Sequence, residues 1–278
     1  MPTPPSPPRF YGWHPSLPDI RHVPADVEGL PILSEVDPRD EMQAPYNQGE
    51  LGSCTANAVA GAIEYDAILN GDSFGPPSRL FIYYGERALE GTLGQGDTGA
   101  QGHDGFKVAR RTGVPPETDW PYNIAAFETR PSMKAFEDAR SHRIPEYRHP
   151  SQSETEIKRV LSNKQTVAFG FSVYESFESP QVAQTGIMPI PQRGEEIVGG
   201  HEVLAVGYLR SEPNYVLVRN SWGTEWGLGG YFLFPWELFL SPGYASDFRT
   251  IPRAAPPSTP SFAAEPVTHL STSVAVAA

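Results

Sequence analysis

Gln48-Gly49-Glu50-Leu51-Gly52-Ser53-Cys54-Thr55-Ala56-Asn57 carries the only cysteine among 278 residues and runs directly into a helical pattern. Ala56, Ala58, Val59, Ala60, Ala62, Ile63, Ala67, Ile68 and Leu69 give a small-residue-rich apolar helix. It stops at Asn70-Gly71, where glycine accepts the left-handed cap conformation at little cost. A thiol in the first turn of that helix lies at the positive end of the helix dipole, which favours the thiolate and lowers the pKa. Cys54 is thereby a candidate nucleophile, and the competing reading is one more buried small apolar residue. The two readings separate on whether the chain also supplies a base, a group that orients the base, and donors for an oxyanion.

Outward from Cys54 the amino-terminal half reads as helical. Pro76-Pro77-Ser78 opens a second helix with Leu80, Phe81, Tyr84 and Leu89 before Gly91. A Gly-rich loop spans Gly91 to Gly102, and Gly105 to Thr112 reads as a third helix closed by Gly113. Ser153 and Glu156 have capping-box spacing before Val160 and Leu161. The pattern then changes to short β-branched and aromatic runs, Gln165–Val173, His201–Leu209, Tyr215–Asn220 and Gly230–Phe234, divided by turn residues. Helices followed by strands predict an α+β architecture with a mainly antiparallel sheet in two lobes.

The partners a thiol needs are present. His201, in Gly199-Gly200-His201-Glu202-Val203-Leu204-Ala205, opens an apolar strand after two glycines that allow another backbone to approach closely. A lone histidine there would read as structural. Downstream, Arg219-Asn220-Ser221-Trp222-Gly223 puts a side-chain amide at a strand end. The Asn220 oxygen can accept from one imidazole nitrogen and leave the other for the thiol, with Trp222 shielding that bond from water. Gln48, six positions before Cys54 on a glycine-containing turn, offers an amide to an oxyanion.

In that order and those contexts, Gln48, Cys54, His201 and Asn220 resemble the papain-like cysteine peptidases, over roughly Ile32 to Ile251. Glu35-Val36-Asp37-Pro38-Arg39-Asp40 is similar to the start of the family's mature domain. The resemblance implies a papain-like two-lobed α+β fold, with a helical lobe, an antiparallel β-barrel-like lobe and the active-site cleft between them. It implies Cys54 as nucleophile, His201 as base and then acid, Asn220 as orienter, and Gln48 with the Cys54 N–H as oxyanion hole. Gly99-Ala100 resembles the loop that binds substrate backbone, and Gly170 and Ser246 the pocket for the side chain two residues before the cut. Departures point to a disulfide-free, bacterial-type branch: Leu51 replaces a disulfide cysteine and Thr55 an aromatic residue. Gly200 replaces the Asp or Asn often found before the histidine, and Ala100 the loop's second glycine.

Composition narrows the partners. Twenty-one basic against 33 acidic residues give a net charge of −12 with no basic run, which argues against nucleic acid or an anionic membrane surface. No apolar stretch reaches a membrane span, and the amino terminus lacks the apolar core of a Sec signal, so cytoplasmic residence and export by another route both stay open. A single cysteine excludes an internal disulfide. Asp97, His103 and Asp104 lack a second His or Cys at ligand spacing and read as solvated loop polarity, so neither metal nor cofactor is expected. The expected partner is a peptide or protein substrate, hydrolysed through a thioester acyl-enzyme. A transpeptidase or amidase using the same site, and an inactive peptidase-like binding module, are the alternatives.

Eleven of the 30 prolines fall in the first 45 residues. Residues 1–33 read as a Pro-rich segment, 34–251 as the catalytic domain (helical lobe about 45–145, β lobe about 146–251) and 252–278 as a flexible low-complexity tail. Met1 to Pro8 reads as disordered, whereas Phe10, Tyr11 and Trp13 need a surface. The expectation is a zymogen-like arrangement: a stretch within Phe10 to Leu33 acts as a short propeptide or cleft plug. The competing expectation is a permanent strap along the back of a lobe.

Overall fold

Helix α1 forms where the apolar run predicts it, over Cys54–Asn70, and ends on Gly71 in the left-handed region at φ 74°. The computed structural model describes residues 10–17, 23–72 and 75–253. The expectations for Met1 to Pro8 and for the tail beyond 253 lie outside those residues. Helix α2 (Arg79–Glu90) starts on Ser78, whose hydroxyl accepts from the Phe81 N–H, and stops on left-handed Gly91. Helix α3 (Gly102–Arg111) begins three residues before the predicted Gly105, because Gly102 and Gly105 let it close tightly on neighbouring side chains. Helices α4 (Met133–Ala139) and α5 (Glu154–Ser162) follow. The predicted capping box at α5 does not form: Glu156 instead accepts from the Ser151 N–H and hydroxyl.

The second half builds one open five-stranded sheet. In chain order its strands are β3 (Val167–Tyr174), β4 (Ile197–Gly207), β5 (Tyr215–Arg219), β6 (Tyr231–Pro235) and β7 (Ala245–Arg249). They lie in the order β6-β5-β4-β3-β7, every neighbouring pair antiparallel. The sheet is not closed, so "barrel-like" holds only loosely. Strand β7 escapes sequence reading because Ser246-Asp247 interrupts its apolar pattern. Two further strands, β1 (Trp13–His14) and β2 (Ala100–Gln101), form a separate parallel pair.

Both faces of the five-stranded sheet are buried, and the period-2 alternation of side chains decides what each face meets. Phe169, Phe171, Val203, Ala205, Val218, Phe232 and Phe234 point into an aromatic core with Trp222, Trp226 and Phe239. Ala168, Leu204, Val206, Leu217 and Leu233 point the other way, onto the apolar residues of α1. His201 shares the parity of Val203, so it faces the aromatic core, while Glu202 faces the helical side. Helix α1 is thereby buried directly against the strand that carries the histidine.

A buried ion pair fixes that packing. Arg219, at the end of β5, donates to Glu64 on α1 at 3.0 Å and to the Ala44 carbonyl at 2.8 Å, while Tyr46 donates to Glu64 at 2.8 Å. Both charged side chains are almost wholly buried. Removing one partner leaves the other charged and unpaired in the interior, so Glu64→Ala is expected to lower unfolding stability by about 3–5 kcal/mol. Urea unfolding measures it, and a change below about 1 kcal/mol would show that the pair does not clamp the lobes.

Candidate active site

The turn before α1 is held from three sides. The Tyr122 hydroxyl donates to the Gln48 carbonyl at 2.9 Å and bonds the Ser53 hydroxyl at 2.6 Å, and the Arg79 guanidinium lies 3.9 Å over its ring. The Gly52 N–H donates to Asp97 at 2.7 Å, and Tyr83 donates to the same carboxylate while accepting from the Gly99 N–H. Asp97 therefore ties the nucleophile turn to the Gly-rich loop, which corrects its reading as solvated polarity. His103 and Asp104 are likewise buried, with Asp104 paired to Lys107 at 2.8 Å.

His201 bonds Asn220, Ser221 links Asn220 to Gln48, and the N–H of Glu202, next to His201, points at the Cys54 sulfur; Cys54, His201, Asn220 and Gln48 are all at least 97% buried. His201 Nε2 lies 2.8 Å from Asn220 Oδ1, which also accepts from the Ser221 N–H. An oxygen that accepts from Ser221 fixes the amide's orientation, so Nε2 carries the proton and Nδ1 is left to gain or lose one. Trp222 stacks on the imidazole, with centroids 4.9 Å apart and planes 21° apart, which limits the ring's rotation and its access to water. The Gln48 amide is orientated too, because its Oε1 accepts from the Ser221 hydroxyl at 2.6 Å.

The chain's own amino-terminal segment lies on these residues. Gln48 Nε2 donates to the Phe10 carbonyl at 3.0 Å, and the Ala100 N–H donates to the Gly12 carbonyl at 2.6 Å. Tyr11 packs on Gly199 and meets His201 and Trp222 edge-on, its hydroxyl bonded to Glu178. Trp13 fills a pocket walled by Gly170 and Gly200, where any Cβ would strike its ring. The Ala100 N–H thus bonds the segment's backbone, Gly99 packs against it, and Gly170 lies against the Trp13 ring. Ser246 pairs with Gly170 across the strands, but the polar group that reaches the pocket's occupant is its neighbour Asp247.

Among the described residues of the stretch 10–33, only part occupies the cleft, and residues 18–22 of the expected plug lie outside the described ones. Val27 is buried in the aromatic core, the Ala25 N–H donates to the His149 carbonyl, and Tyr208 donates to the Leu33 carbonyl. Phe10 to Ser16 therefore lies along the cleft and Ala25 to Leu33 along the β lobe.

Electrostatics under the segment departs from the sequence expectation. Burial pushes the Cys54 thiol up to about 12, although the backbone N–H groups of Glu202 and Gly12 point at the sulfur and oppose the shift. The helix dipole does not offset full exclusion of water. Burial, and then Asp247, pushes the carboxyl of Glu202, one residue from His201, well above its ordinary value. Sequence reasoning missed Glu202 and Asp247. The first is hidden in an apolar strand, and only its alternation with His201 could have flagged it.

Residues 32–237 match the family described as papain family cysteine protease. An uncharacterized peptidase C1-like protein of Acanthamoeba polyphaga mimivirus is 37% identical over 249 residues, covering 86% of this chain and 79% of its own length. Cysteine proteinase 3 of Entamoeba histolytica is 27% identical, covering 76% of this chain and 65% of that protein, so the chain spans slightly under two thirds of that longer relative. Among solved structures, xylellain, a cysteine protease from Xylella fastidiosa, is 36% identical with a TM-score of 0.79, covering 87% of this chain and 95% of that one.

Proposed function

The chain belongs to the papain family of cysteine proteases, and we propose that its catalytic unit, residues 34–251, hydrolyses peptide bonds through a Cys54-His201-Asn220 triad with Gln48 in the oxyanion hole. The observation that carries this reading is a peptide, residues 10–14, laid across Cys54 with a carbonyl held by the Gln48 amide. With substrate in that place, the Cys54 thiol passes its proton to His201 Nδ1 and the sulfur adds to the scissile carbonyl carbon. The oxyanion takes hydrogen bonds from Gln48 Nε2 and the Cys54 N–H at the start of α1. His201 gives the proton at Nδ1 to the leaving amine, and the thioester remains. Water, deprotonated by Nδ1, then releases the acid. Asn220 holds the imidazole by its Nε2 edge throughout. No observation favours the transpeptidase, amidase or inactive-module alternatives.

Self-inhibition belongs to the same proposal. The segment covers the sulfur, engages the oxyanion donor and keeps the thiol protonated. Its polarity along Ala100–Gln101 is parallel. Gly12 presents its N–H to the sulfur, and its carbonyl is tied to Ala100, so the peptide at the nucleophile does not offer it a carbonyl. Peptide-library cleavage by the full-length protein and by a chain whose segment has been displaced tests both halves.

Gln48 provides a sharper check. With His201 and Cys54 intact, Gln48→Ala removes one oxyanion donor and is expected to lower kcat by roughly 100- to 1000-fold with KM little changed. A rise in KM at constant kcat would show that Gln48 only binds peptide backbone. Steady-state kinetics on a fluorogenic peptide separates the two.

A further inference from the structure

Resting on the cleft reading above, we propose that Asp97 is a positioning residue for peptide cleavage: it fixes the spacing between the turn that leads into Cys54 and the loop that holds peptide backbone. One wall of the cleft is the turn through Gly52, two residues before the sulfur. The other is Gly99-Ala100, where the Ala100 N–H holds the Gly12 carbonyl at 2.6 Å. Gly12 passes between the walls with no room for a Cβ against either Gly52 or Gly99. A peptide held by the loop meets the sulfur only while the walls keep this spacing, and a displacement of about 1 Å between reacting groups costs about 100-fold in rate.

One connection sets it. The Gly52 N–H donates to Asp97 Oδ2 at 2.7 Å, the Tyr83 hydroxyl donates to Oδ1, and the same hydroxyl accepts from the Gly99 N–H at 3.0 Å. Three hydrogen bonds in series thus run from turn to loop through one carboxylate and one phenol. Among the described residues, that from Gly52 is the only hydrogen bond joining residues 48–53 to residues 91–100. With a single cysteine, no disulfide can do the same. Gly52 and Tyr83 are buried, so neither donor is free to turn to water. Tyr83 is itself held, with the Arg87 guanidinium 5.3 Å over its ring. Both groups facing Asp97 donate, so the site needs two acceptor oxygens, and asparagine offers one. No described hydrogen bond joins Asp97 to Cys54 or to the segment, so it acts through the elements it ties. The loop has anchors of its own: Arg87 donates to the Gly96 carbonyl and the Gln101 N–H to Glu90, each at 2.7 Å. Losing Asp97 therefore releases the spacing and leaves the loop attached to α2.

The test uses the full-length chain carrying Gly12→Ala to displace the segment, with a fluorogenic peptide for turnover and iodoacetamide for the thiol. Asp97→Ala is expected to lower kcat by about 100-fold. Alkylation of Cys54, which needs the sulfur and neither wall, should stay within about twofold. Tyr83→Phe cuts the same series at its other joint and should lower kcat by about 10- to 100-fold, and the double variant should be no slower than Asp97→Ala alone. Asp97→Asn should fall between Asp97→Ala and the parent. A merely structural residue would instead change alkylation and the folded fraction together. A second arm needs no turnover: a synthetic peptide of residues 10–17, added in trans, shields Cys54 from iodoacetamide by lying between both walls. Asp97→Ala should raise the peptide concentration for half protection by about 10-fold or more. Unchanged kcat in folded Asp97→Ala, losses from Asp97→Ala and Tyr83→Phe that multiply, or alkylation falling in step with kcat would overturn the assignment, as would equal protection in the second arm. An alkylatable Gly12→Ala chain that cleaves no peptide would sink the peptidase reading, and the protection assay would still decide the role of Asp97.

Discussion

Cys54→Ala is expected to reduce peptide turnover to background, a loss on the order of 10⁴-fold or more, because every step of the acyl-enzyme route forms or breaks a bond to that sulfur. No second thiol exists to replace it. The fold should survive: Cys54 sits in the first turn of α1 among small residues, and alanine has the higher helix propensity. Cys54→Ser tests the same point with a group of similar shape that His201 is not arranged to activate. His201→Ala should cost nearly as much and add little to Cys54→Ala, since the two act as one unit. The measurement is kcat on a segment-displaced background, with thermal unfolding as the control for folding. Near-normal kcat in a folded Cys54→Ala protein would remove Cys54 from the mechanism.

Cys54 and the three polar candidates for its site were legible because each stands beside a local signal: a helix start at Cys54, a glycine pair before His201, a strand end at Asn220, a glycine turn at Gln48. Main helices and four strands were legible through period and caps. What could not be read depends on tertiary juxtaposition. Asp247 is an unremarked residue in a short strand until Trp13, 234 positions away, places an indole against it. Asp97 looks like loop polarity until Gly52 and Tyr83 turn out to share its carboxylate. The thiol was expected at low pKa from its place on the dipole, and the covering segment reverses that by desolvation.

Glycine also acts here in a way that periodicity does not reveal. Gly12, Gly52 and Gly99 meet backbone to backbone: a Cβ on Gly99 would fall 2.2 Å from the Gly12 carbonyl oxygen, and one on Gly12 would fall 1.7 Å from that of Gly52. Gly52 and Gly99 belong to the turn and loop that form the cleft, whereas Gly12 belongs to its occupant. The segment reaches the sulfur only because all three lack side chains.

Gly12→Ala is therefore expected to relieve self-inhibition in the full-length chain, raising peptide turnover by about 100-fold. The blocking atoms are backbone on both sides and cannot rotate away, so the segment must lift from Cys54 rather than adjust. A tether of this length supplies an effective concentration in the millimolar range, so contacts that are weak in trans suffice in cis, and losing the central one releases the rest. The strap from Ala25 to Leu33 is untouched, which keeps Val27 in the core and the catalytic unit folded. Thiol reactivity gives an independent readout. With the thiol at about 12, about one molecule in 10⁵ is ionised at pH 7. Once water and His201 share the sulfur, the value falls to or below the free-thiol range near 8.5, and at least a few per cent is ionised. Iodoacetamide should then alkylate Gly12→Ala at least about 100-fold faster than the parent at pH 7. The parent's rate should go on climbing at alkaline pH, where that of Gly12→Ala has levelled off. A synthetic peptide of residues 10–17 added in trans should slow both reactions again. Equal turnover and equal alkylation in the two chains would show that the segment leaves the cleft unaided and does not restrain the enzyme.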